Sequence, residues 1–219
     1  MATATELKNQ RVFKGSGDIY AKKYDGTITF PELEIDAATK VVTIKDEDET
    51  AIFTALAAIR KEENRLGALK NGFKYNESLE VLEDQDDMGY IKVSEITKET
   101  ATNEFGLFNA NGETISKMHP LASTGTSKNN MRVTAMGGLA NKNDDEYFLM
   151  FVHPDTQNGD IVLLTRGKNV SGLELAFDGS NVSPVNCKYN AQSLDGSGTL
   201  IYIFELPKKF NWETGTVDT

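Results

Sequence analysis

The amino-acid sequence predicts a mainly β fold, an antiparallel β-sandwich or barrel-like domain with one flanking α-helix. The stretch 147–205 divides into short segments rich in β-branched and aromatic residues, each bounded by Gly, Asp, Asn or Pro. In one other stretch, 51–65, apolar residues recur at helical spacing. The length of 219 residues suits a single β domain. The strands predicted for the first stretch are 147–152, 160–165, 172–177, 184–192 and 199–205.

Two of these strands, 147–152 and 199–205, carry apolar residues at both odd and even positions. Successive side chains of a strand point to opposite faces, and antiparallel sheets usually leave one face in water. A strand that is apolar on both faces therefore needs a second cover. We expect both faces to be buried beneath a helix, another sheet or another subunit.

The first third of the chain is predicted to hold an arm, short strands and the helix. Residues 1–17 are polar and are typical of a mobile N-terminal arm. Asp25-Gly26 predicts a hairpin turn between strands 18–24 and 27–30. The acidic residues at 46–49 suit the start of a helix, because its dipole favours negative charge there. Further predicted features are strands at 33–35 and 41–44 and a helix stop at Asn71-Gly72.

After the helix the sequence returns to β patterns and ends in a polar tail. The predicted elements are strands 78–82, 90–96, 104–108 and 131–136, a turn at Asn111-Gly112, a loop at 120–130 and a polar turn at 141–146. The tail, 207–219, is predicted to be mobile, and it holds Phe210 and Trp212. Aromatic residues are enriched at interfaces, so both are candidate contacts to a neighbouring subunit. The alternative is that Trp212 packs on its own domain.

The charge balance argues against one class of function. The chain has 33 Asp and Glu against 23 Lys and Arg, a formal net charge of −10. Tight binding of nucleic acid through phosphate contacts needs Lys and Arg. An acidic chain is compatible with a passage that repels phosphate, or simply with a solubilising surface. No secretory signal or membrane-length apolar run is visible, so we expect no membrane partner.

No pattern of chemistry-bearing residues points to catalysis, a cofactor or a metal. His119 and His153 each precede a proline in a predicted turn, and Cys187 falls on the apolar face of its strand, where burial is expected. Residues 84–95 match part of a calcium-loop pattern, but Met88 stands where an oxygen ligand is required. A charged hairpin turn is the preferred interpretation. We expect a protein that is not an enzyme and that uses no cofactor.

The order of several short segments resembles a known family. The segments are Leu66-Gly-Ala-Leu-Lys-Asn-Gly-Phe73, Gly89-Tyr-Ile-Lys-Val93, Phe151-Val-His-Pro-Asp155, Asn158-Gly-Asp160, Leu163-Leu-Thr165, 173–177, Asn190-Ala-Gln192 and Asp195-Gly-Ser-Gly-Thr-Leu200. Together they resemble the central and C-terminal parts of the major tail proteins, or tail tube proteins, of long-tailed bacteriophages. The resemblance does not extend to the first 65 residues.

This resemblance implies a virion structural protein, made in the bacterial cytoplasm, whose barrel-like subunits form hexameric rings. The rings stack into a tube through which DNA passes during ejection without specific binding, and the tube contacts other tail proteins. An acidic lumen would let DNA slide. The candidate lumen-facing acids are Asp46, Glu47, Asp48, Glu49, Glu83, Asp84, Asp86, Asp87, Asp144, Asp145 and Glu146. The resemblance also implies that arms reach the next ring, which makes Phe210 and Trp212 candidate inter-ring contacts.

Two other functions remain open from the sequence. One is a related tube protein of a contractile or secretion apparatus. The other is a β-sandwich with a pocket that binds a carbohydrate or a peptide or, as the least favoured alternative, belongs to a hydrolase.

Overall fold

Six antiparallel strands close into a barrel in the computed structural model, which describes residues 17–85, 92–170, 172 and 185–218. The elements are β1 (Asp18–Lys23), β2 (Glu34–Ile35), β3 (Val42–Thr43), α1 (Asp46–Ile59), β4 (Arg65–Gln85), β5 (Lys92–Leu107), α2 (Gly112–Met118), β6 (Ala122–Thr126), β7 (Arg132–Met136), β8 (Tyr147–His153), β9 (Ile161–Asn169), β10 (Val185–Gln192), β11 (Ile201–Glu205), β12 (Phe210–Asn211) and β13 (Thr216–Val217). Short 3-10 turns lie at Glu62–Asn64 and Leu139–Asn141. The expected mainly β fold with a flanking helix is confirmed.

The barrel closes because strand β9 shares one of its edges between two partners. The sheet runs in the order β10-β5-β4-β1-β8-β9, with β11 beyond β9. The first half of β9 pairs with β11, and its second half pairs with β10. Gly167 lies at this closure, where a built Cβ would stand 2.0 Å from the carbonyl oxygen of Asn190. A side chain at this position would therefore force β9 and β10 apart.

Alternate residues along a strand belong to two different apolar clusters, one on each face of the sheet. In β1, Ile19 and Ala21 belong to the inner cluster and Tyr20 belongs to the outer one. The inner cluster lies inside the barrel and comprises Ile19, Ala21, Leu66, Phe105, Leu107, Met118, Tyr147, Leu149, Cys187 and Tyr189. The outer cluster comprises Tyr20, Ile52, Leu56, Ile59, Phe148, Met150, Val152, Val162, Leu164, Leu194 and Leu206. Strand β8 contributes to both clusters, so the prediction that it is buried on both faces is confirmed.

Helix α1 covers the outer cluster with Ile52, Leu56 and Ile59, as the helical spacing predicts. Its bounds differ from the predicted 51–65. The helix begins at Asp46, because the acidic residues form its first turn, where the dipole favours them. It ends at Ile59, and Arg65 already starts strand β4.

A second helix, α2, was not predicted. Asn111, which was predicted to form a turn with Gly112, is instead its N-cap, and the Asn111 side chain accepts hydrogen bonds from the backbone of Glu113 and Thr114. Met118 inserts into the inner cluster, where it is fully buried. The Tyr189 hydroxyl donates to the Lys117 carbonyl at 2.7 Å, and the Asn169 amide donates to the carbonyl of Met118. Helix α2 therefore contributes Met118 to the barrel interior, and hydrogen bonds from strands β9 and β10 hold the end of the helix there.

Burial of the lone cysteine, Cys187, is confirmed. It is 3% exposed, and its Sγ lies 3.1 Å from Met118 Sδ. Burial raises the pKa of the Cys187 thiol to about 12. The thiol therefore stays protonated at neutral pH and packs as a small apolar group.

Several predicted boundaries are wrong for local reasons. Residues 27–30 form no strand, and β1 pairs with β4 and β8 instead. Asn71-Gly72 lies at a bulge inside β4 and stops no helix. Part of the predicted loop 120–130 is strand β6, which pairs with β7. Three further predictions lie wholly or partly outside the described residues: all but Gly172 of the predicted strand 172–177, most of the N-terminal arm 1–17 and the middle of the charged turn 84–95.

Candidate assembly surfaces

The longest exposed feature is the hairpin of β4 and β5. We call its outer part, residues 76–85 and 92–100, the arm. Every residue from Asn76 to Asp84 and from Lys92 to Thr100 is exposed, whereas β5 becomes buried from Ala101, where it enters the barrel. Two strands without further cover are at best marginally stable in water. The arm therefore has the form of a segment that needs a partner surface.

One face of the arm is an apolar stripe with an acidic rim. In the hairpin register, Leu79 stands opposite Glu99, and Val81 stands opposite Ile96. Leu79, Val81 and Ile96 are 46%, 48% and 59% exposed. Glu77, Glu83 and Glu99 share this face by strand alternation and register. The opposite face carries two more exposed apolar residues, Leu82 and Val93.

Strand β11 offers a second assembly surface, a strand edge. Among the described residues it pairs on one side only, with β9. Phe204 lies half-buried against Phe30 on the covered face. Ile203 on the other face is 57% exposed, so the second cover predicted for this strand is not supplied by the described residues of its own chain. A free strand edge with an exposed apolar side chain is a template for pairing with another chain.

The third surface is the two-stranded ribbon of β6 and β7, residues 122–136, which follows α2. Gly112 of α2 lies against Thr124 and Thr134, so one face of the ribbon rests on the start of that helix. The ribbon exposes three large apolar residues, Met131, Val133 and Met136. Its tip holds two exposed cations, Lys128 and Arg132.

The predicted lumen acids lie at three separate places. Asp46, Glu47, Asp48 and Glu49 form the first turn of α1. Glu83 and Asp84 lie near the end of the arm, and Asp86 and Asp87 lie outside the described residues. Asp144, Asp145 and Glu146 precede β8. That any of them lines a lumen stays a prediction.

The three acids before β8 are each paired with a cation. Asp144 lies 2.7 Å from Lys142, and Asp145 lies 2.7 Å from Lys23. The Glu146 carboxylate accepts from Nε and Nη2 of Arg166 at 2.9 and 2.7 Å. The hydrogen bond from Lys142 lowers the pKa of Asp144. Because neighbouring cations offset these carboxylates, they contribute less to an acidic surface than their sequence suggests.

The C-terminal tail packs on its own domain in the described residues. Phe210 lies 4.9 Å from Phe53 of α1, measured between ring centroids. The Trp212 indole donates to Asp160 at 2.8 Å, and the Arg60 guanidinium lies 4.5 Å from the ring centroid of Trp212. Strands β12 and β13 pair with each other beside helix α1. The tail was predicted to be mobile, with Phe210 and Trp212 as candidate contacts to a neighbouring subunit. In the described residues both aromatic side chains pack on their own domain, which is the alternative that the sequence left open.

Two of the clefts formed by the described residues are lined by groups that could bind a ligand. One, of about 350 Å³, lies beside α2 and is lined by charged residues such as Glu62, Arg65 and Lys117. The other, of about 310 Å³, lies between the base of the arm at Tyr75 and the turn after β10, which holds Ser197. The described residues include no group of three His, Cys, Asp or Glu placed to hold a metal ion.

The two histidines lie at the ends of elements. His119 follows α2, and its Nδ1 accepts a hydrogen bond from the Leu121 backbone at 3.1 Å. His153 ends β8. No helix in the described part of the chain has the length and apolarity needed to cross a bilayer.

No protein-family model matches the chain, and a search of curated proteins finds no match.

Proposed function

We propose that this chain is a structural subunit that assembles with copies of itself into rings, and that the rings stack into the tail tube of a long-tailed bacteriophage. The observation that carries the proposal is the arm, a hairpin with uncovered apolar residues on both faces. The sequence resemblance to tail tube proteins supports the same function. DNA would pass through the tube without specific binding, and the protein would reside in the virion.

The energetics favour a partner surface for the arm. Burying a Leu, Val or Ile side chain contributes about 1.5–3 kcal/mol. Five arm side chains, Leu79, Val81, Leu82, Val93 and Ile96, are each roughly half exposed. Their complete burial would contribute on the order of 4–7 kcal/mol before the costs of association. A copy of the same chain supplies such a surface at every step of a growing assembly.

The free edge of β11 supports a lateral contact within a ring. An edge strand that pairs with a different surface of the next copy makes a head-to-tail contact, and such contacts close into rings. Ile203 lies on this edge strand with more than half of its side chain exposed. The lateral contact therefore has both a hydrogen-bonding edge and an apolar anchor.

The acid excess supports the passage of DNA. A net charge of −10 disfavours binding to phosphate, which depends on the release of counterions by Lys and Arg. The first turn of α1 and the arm contribute exposed acids, whereas the acids before β8 are paired. We expect the lumen to draw on the first two groups.

The cleft at Tyr75 supports one other function, binding of a carbohydrate. An aromatic ring beside Glu77, Glu99 and Ser197 offers a stacking surface with hydrogen-bonding groups. A related tube protein of a contractile or secretion apparatus would share the assembly surfaces proposed above.

Experiments on the purified protein distinguish self-assembly from carbohydrate binding. We expect a mass that rises with concentration in size-exclusion chromatography with light scattering, and rings or tubes in negative-stain electron microscopy. Ile203→Lys should abolish the rings, because a charge on an edge strand blocks pairing. Val41→Lys, at a residue that is also exposed, is the matched control and should leave assembly unchanged. A strict monomer at the highest attainable concentration contradicts the proposal and favours carbohydrate binding.

A further inference from the structure

A gap opens in the barrel wall where strand β9 changes partners. Thr165 of β9 pairs with Ile201 of β11, whereas the next residue, Arg166, pairs with Gln192 of β10. Strands β10 and β11 therefore separate at this point, and the turn that joins them, residues 193–200, spans the gap. The cleft of about 310 Å³ lies between this turn and the base of the arm.

One wall of this cleft is an aromatic ring beside two carboxylates. Tyr75, Glu77 and Glu99 line it, and strand alternation and register place them on the face that carries Phe73 and Phe105 inside the barrel. The Tyr75 hydroxyl donates to the Glu77 carboxylate at 3.4 Å. Burial and, after it, the charges of Glu77 and Glu99 raise the pKa of Tyr75 to about 12. The hydroxyl therefore stays protonated, and the ring lies in a negative electrostatic potential.

The carboxylates of the cleft have no cation to balance them. Neither Glu77 nor Glu99 forms an ion pair with a described residue. Among the described residues that line the cleft, none is Lys, Arg or His. A third carboxylate lies at the opposite wall, where Glu32 accepts a hydrogen bond from the Ser197 hydroxyl at 2.6 Å. Negative charge on both sides of a cleft favours a ligand with positive charge.

A buried acceptor lies beside Tyr75. Asn103 stands opposite Tyr75 in the hairpin register and has no exposed surface, and directly opposed residues point to the same face. Its amide donates to the Thr165 hydroxyl at 2.9 Å, from β5 across to β9 at the gap. The Asn103 Oδ1 has no hydrogen-bond partner among the described residues. Because an unsatisfied buried acceptor is costly, this position favours a ligand that donates hydrogen bonds.

The rest of the lining includes aliphatic side chains, Ile35, Leu200 and Ile201. They offer contact area to methylene groups. An aromatic cleft also suits a carbohydrate, but a neutral sugar would leave the carboxylates without a counter-charge. The ligand that matches all of these groups carries positive charge, N–H donors and an aliphatic chain.

We propose that this cleft binds an aliphatic diamine or polyamine. One ammonium group lies between Glu77 and Glu99 against the Tyr75 ring, where cation–π attraction adds to the ion pairs, and donates toward Asn103 Oδ1. The methylene chain follows the aliphatic wall, and the second ammonium group reaches Glu32. The inference does not rest on self-assembly, because every one of these groups belongs to the same chain.

The test is isothermal titration calorimetry on the full-length chain, kept below the concentration at which it assembles, with 1,4-diaminobutane and spermidine as probes. We expect one saturable site for each amine. 1-Butylamine, which lacks the second charge, should bind about fivefold or more weakly, and 1,4-butanediol, which lacks both charges, should not bind. E77Q/E99Q should weaken diamine binding by about tenfold or more. E80Q/E95Q removes the same charge from the opposite face of the arm and should bind like wild type.

Two substitutions at Tyr75 test the aromatic contact. Tyr75→Leu removes the ring but keeps apolar bulk, and it should weaken diamine binding by about fivefold. Tyr75→Phe retains the ring and should stay within about twofold of wild type. Unchanged circular dichroism confirms that each variant is folded.

Nuclear magnetic resonance locates the ligand. The side-chain amide signal of Asn103 should shift during the titration, because its Oδ1 gains a donor. The amide of Asn64 is also buried but donates to the Ile59 carbonyl beside α1, and its signal should not move. An unmoved Asn103 signal would place the ligand elsewhere on the acidic surface and overturn the inference.

Three other results would also overturn it. They are no saturable heat with either amine, equal binding by wild type and E77Q/E99Q, and saturable binding of a neutral disaccharide such as maltose in place of the amines. Each of these results leaves the proposed ring assembly standing, since light scattering and electron microscopy test that function separately.

Discussion

Strand β8 and the arm are both apolar on two faces, yet all of β8 except His153 is buried and every described side chain of the arm is exposed. Strand β8 sends Phe148 and Met150 to the cluster beneath α1 and Leu149 into the barrel. The arm sends Leu79 and Val81 to one face and Leu82 to the other, and no described element covers either face.

The difference shows what an apolar pattern specifies. A strand with two apolar faces needs two covers, but its sequence does not say whether they belong to the same chain. For β8, the barrel and α1 supply both covers. For the arm we attribute the cover to another copy. Strand β11 lies between these cases, since Phe204 is half-buried and Ile203 is 57% exposed.

The largest effect in this comparison is expected from Met150→Asp. Met150 is fully buried in the outer cluster, and an unpaired carboxylate there costs several kcal/mol, on the order of 3–5. This is a large part of the stability of a typical domain, so the variant should be unfolded or insoluble. Circular dichroism and the yield of soluble protein measure it.

The matched control is Ile203→Asp in the edge strand β11. An exposed position tolerates such a change, and the free energy of unfolding should shift by about 0.5 kcal/mol or less. Equal destabilisation by the two substitutions in urea titrations would contradict the assignment of β8 as core and β11 as free surface.

The barrel strands are readable from sequence because their environment is regular. Segments 147–152 and 184–192 lie within a residue or two of β8 and β10, since burial imposes a pattern on strands bounded by Asp, Asn or Gly. Strand β6 was missed, because Ser123, Thr124 and Gly125 favour a loop and the ribbon has too little cover to require apolar residues. Helix α2 was missed because seven residues carry little periodicity and Asn111 serves both turns and N-caps.

The candidate surfaces were less predictable, because tertiary placement decides them. Asp145 and Glu146 are candidate lumen-facing acids by sequence, but the barrel brings Lys23 and Arg166 beside them. The arm was predicted as two short strands, 78–82 and 90–96, with a charged hairpin turn at 84–95, but not in its full length. Its length depends on a continuous register through two irregularities, which no local pattern reveals.

The next largest effect on stability is expected in the tail, because its aromatic side chains pack on the domain. Trp212→Ala removes the cation–π contact with Arg60, the edge-to-face contact with Phe210 and the hydrogen bond to Asp160. Half-buried aromatic contact and one charge-assisted hydrogen bond together contribute about 2 kcal/mol, so the free energy of unfolding should fall by about that amount. Urea titration measures the change.

Trp212→Phe is the control for this prediction, since it retains the aromatic packing and loses the hydrogen bond to Asp160. It should show an intermediate loss of stability. Wild-type stability of Trp212→Ala would mean that the tail is not anchored through this ring, and Phe210 and Trp212 would return as candidate contacts to the next ring.

The smallest effect concerns the joint between the barrel and the arm. Gly72 lies at the bulge where the register of β4 against β5 shifts, with a φ of 76°, a region that other residues rarely adopt. A built Cβ meets nothing within 4 Å, so Gly72→Ala tests the backbone alone. The left-handed conformation should cost about 1 kcal/mol of stability.

Gly125 supplies the matched position, because it is also in a strand, also has nothing within 4 Å of a built Cβ, and has no positive φ. Gly125→Ala should be neutral or slightly stabilising, since alanine restricts the unfolded chain. The bulge sets the direction in which the arm leaves the barrel, so Gly72→Ala should also weaken assembly at concentrations where the subunit is fully folded. Both alanine variants could instead match wild type in urea titration and light scattering. The bulge would then not set the direction of the arm, and the assembly contact of the arm would depend on its side chains alone.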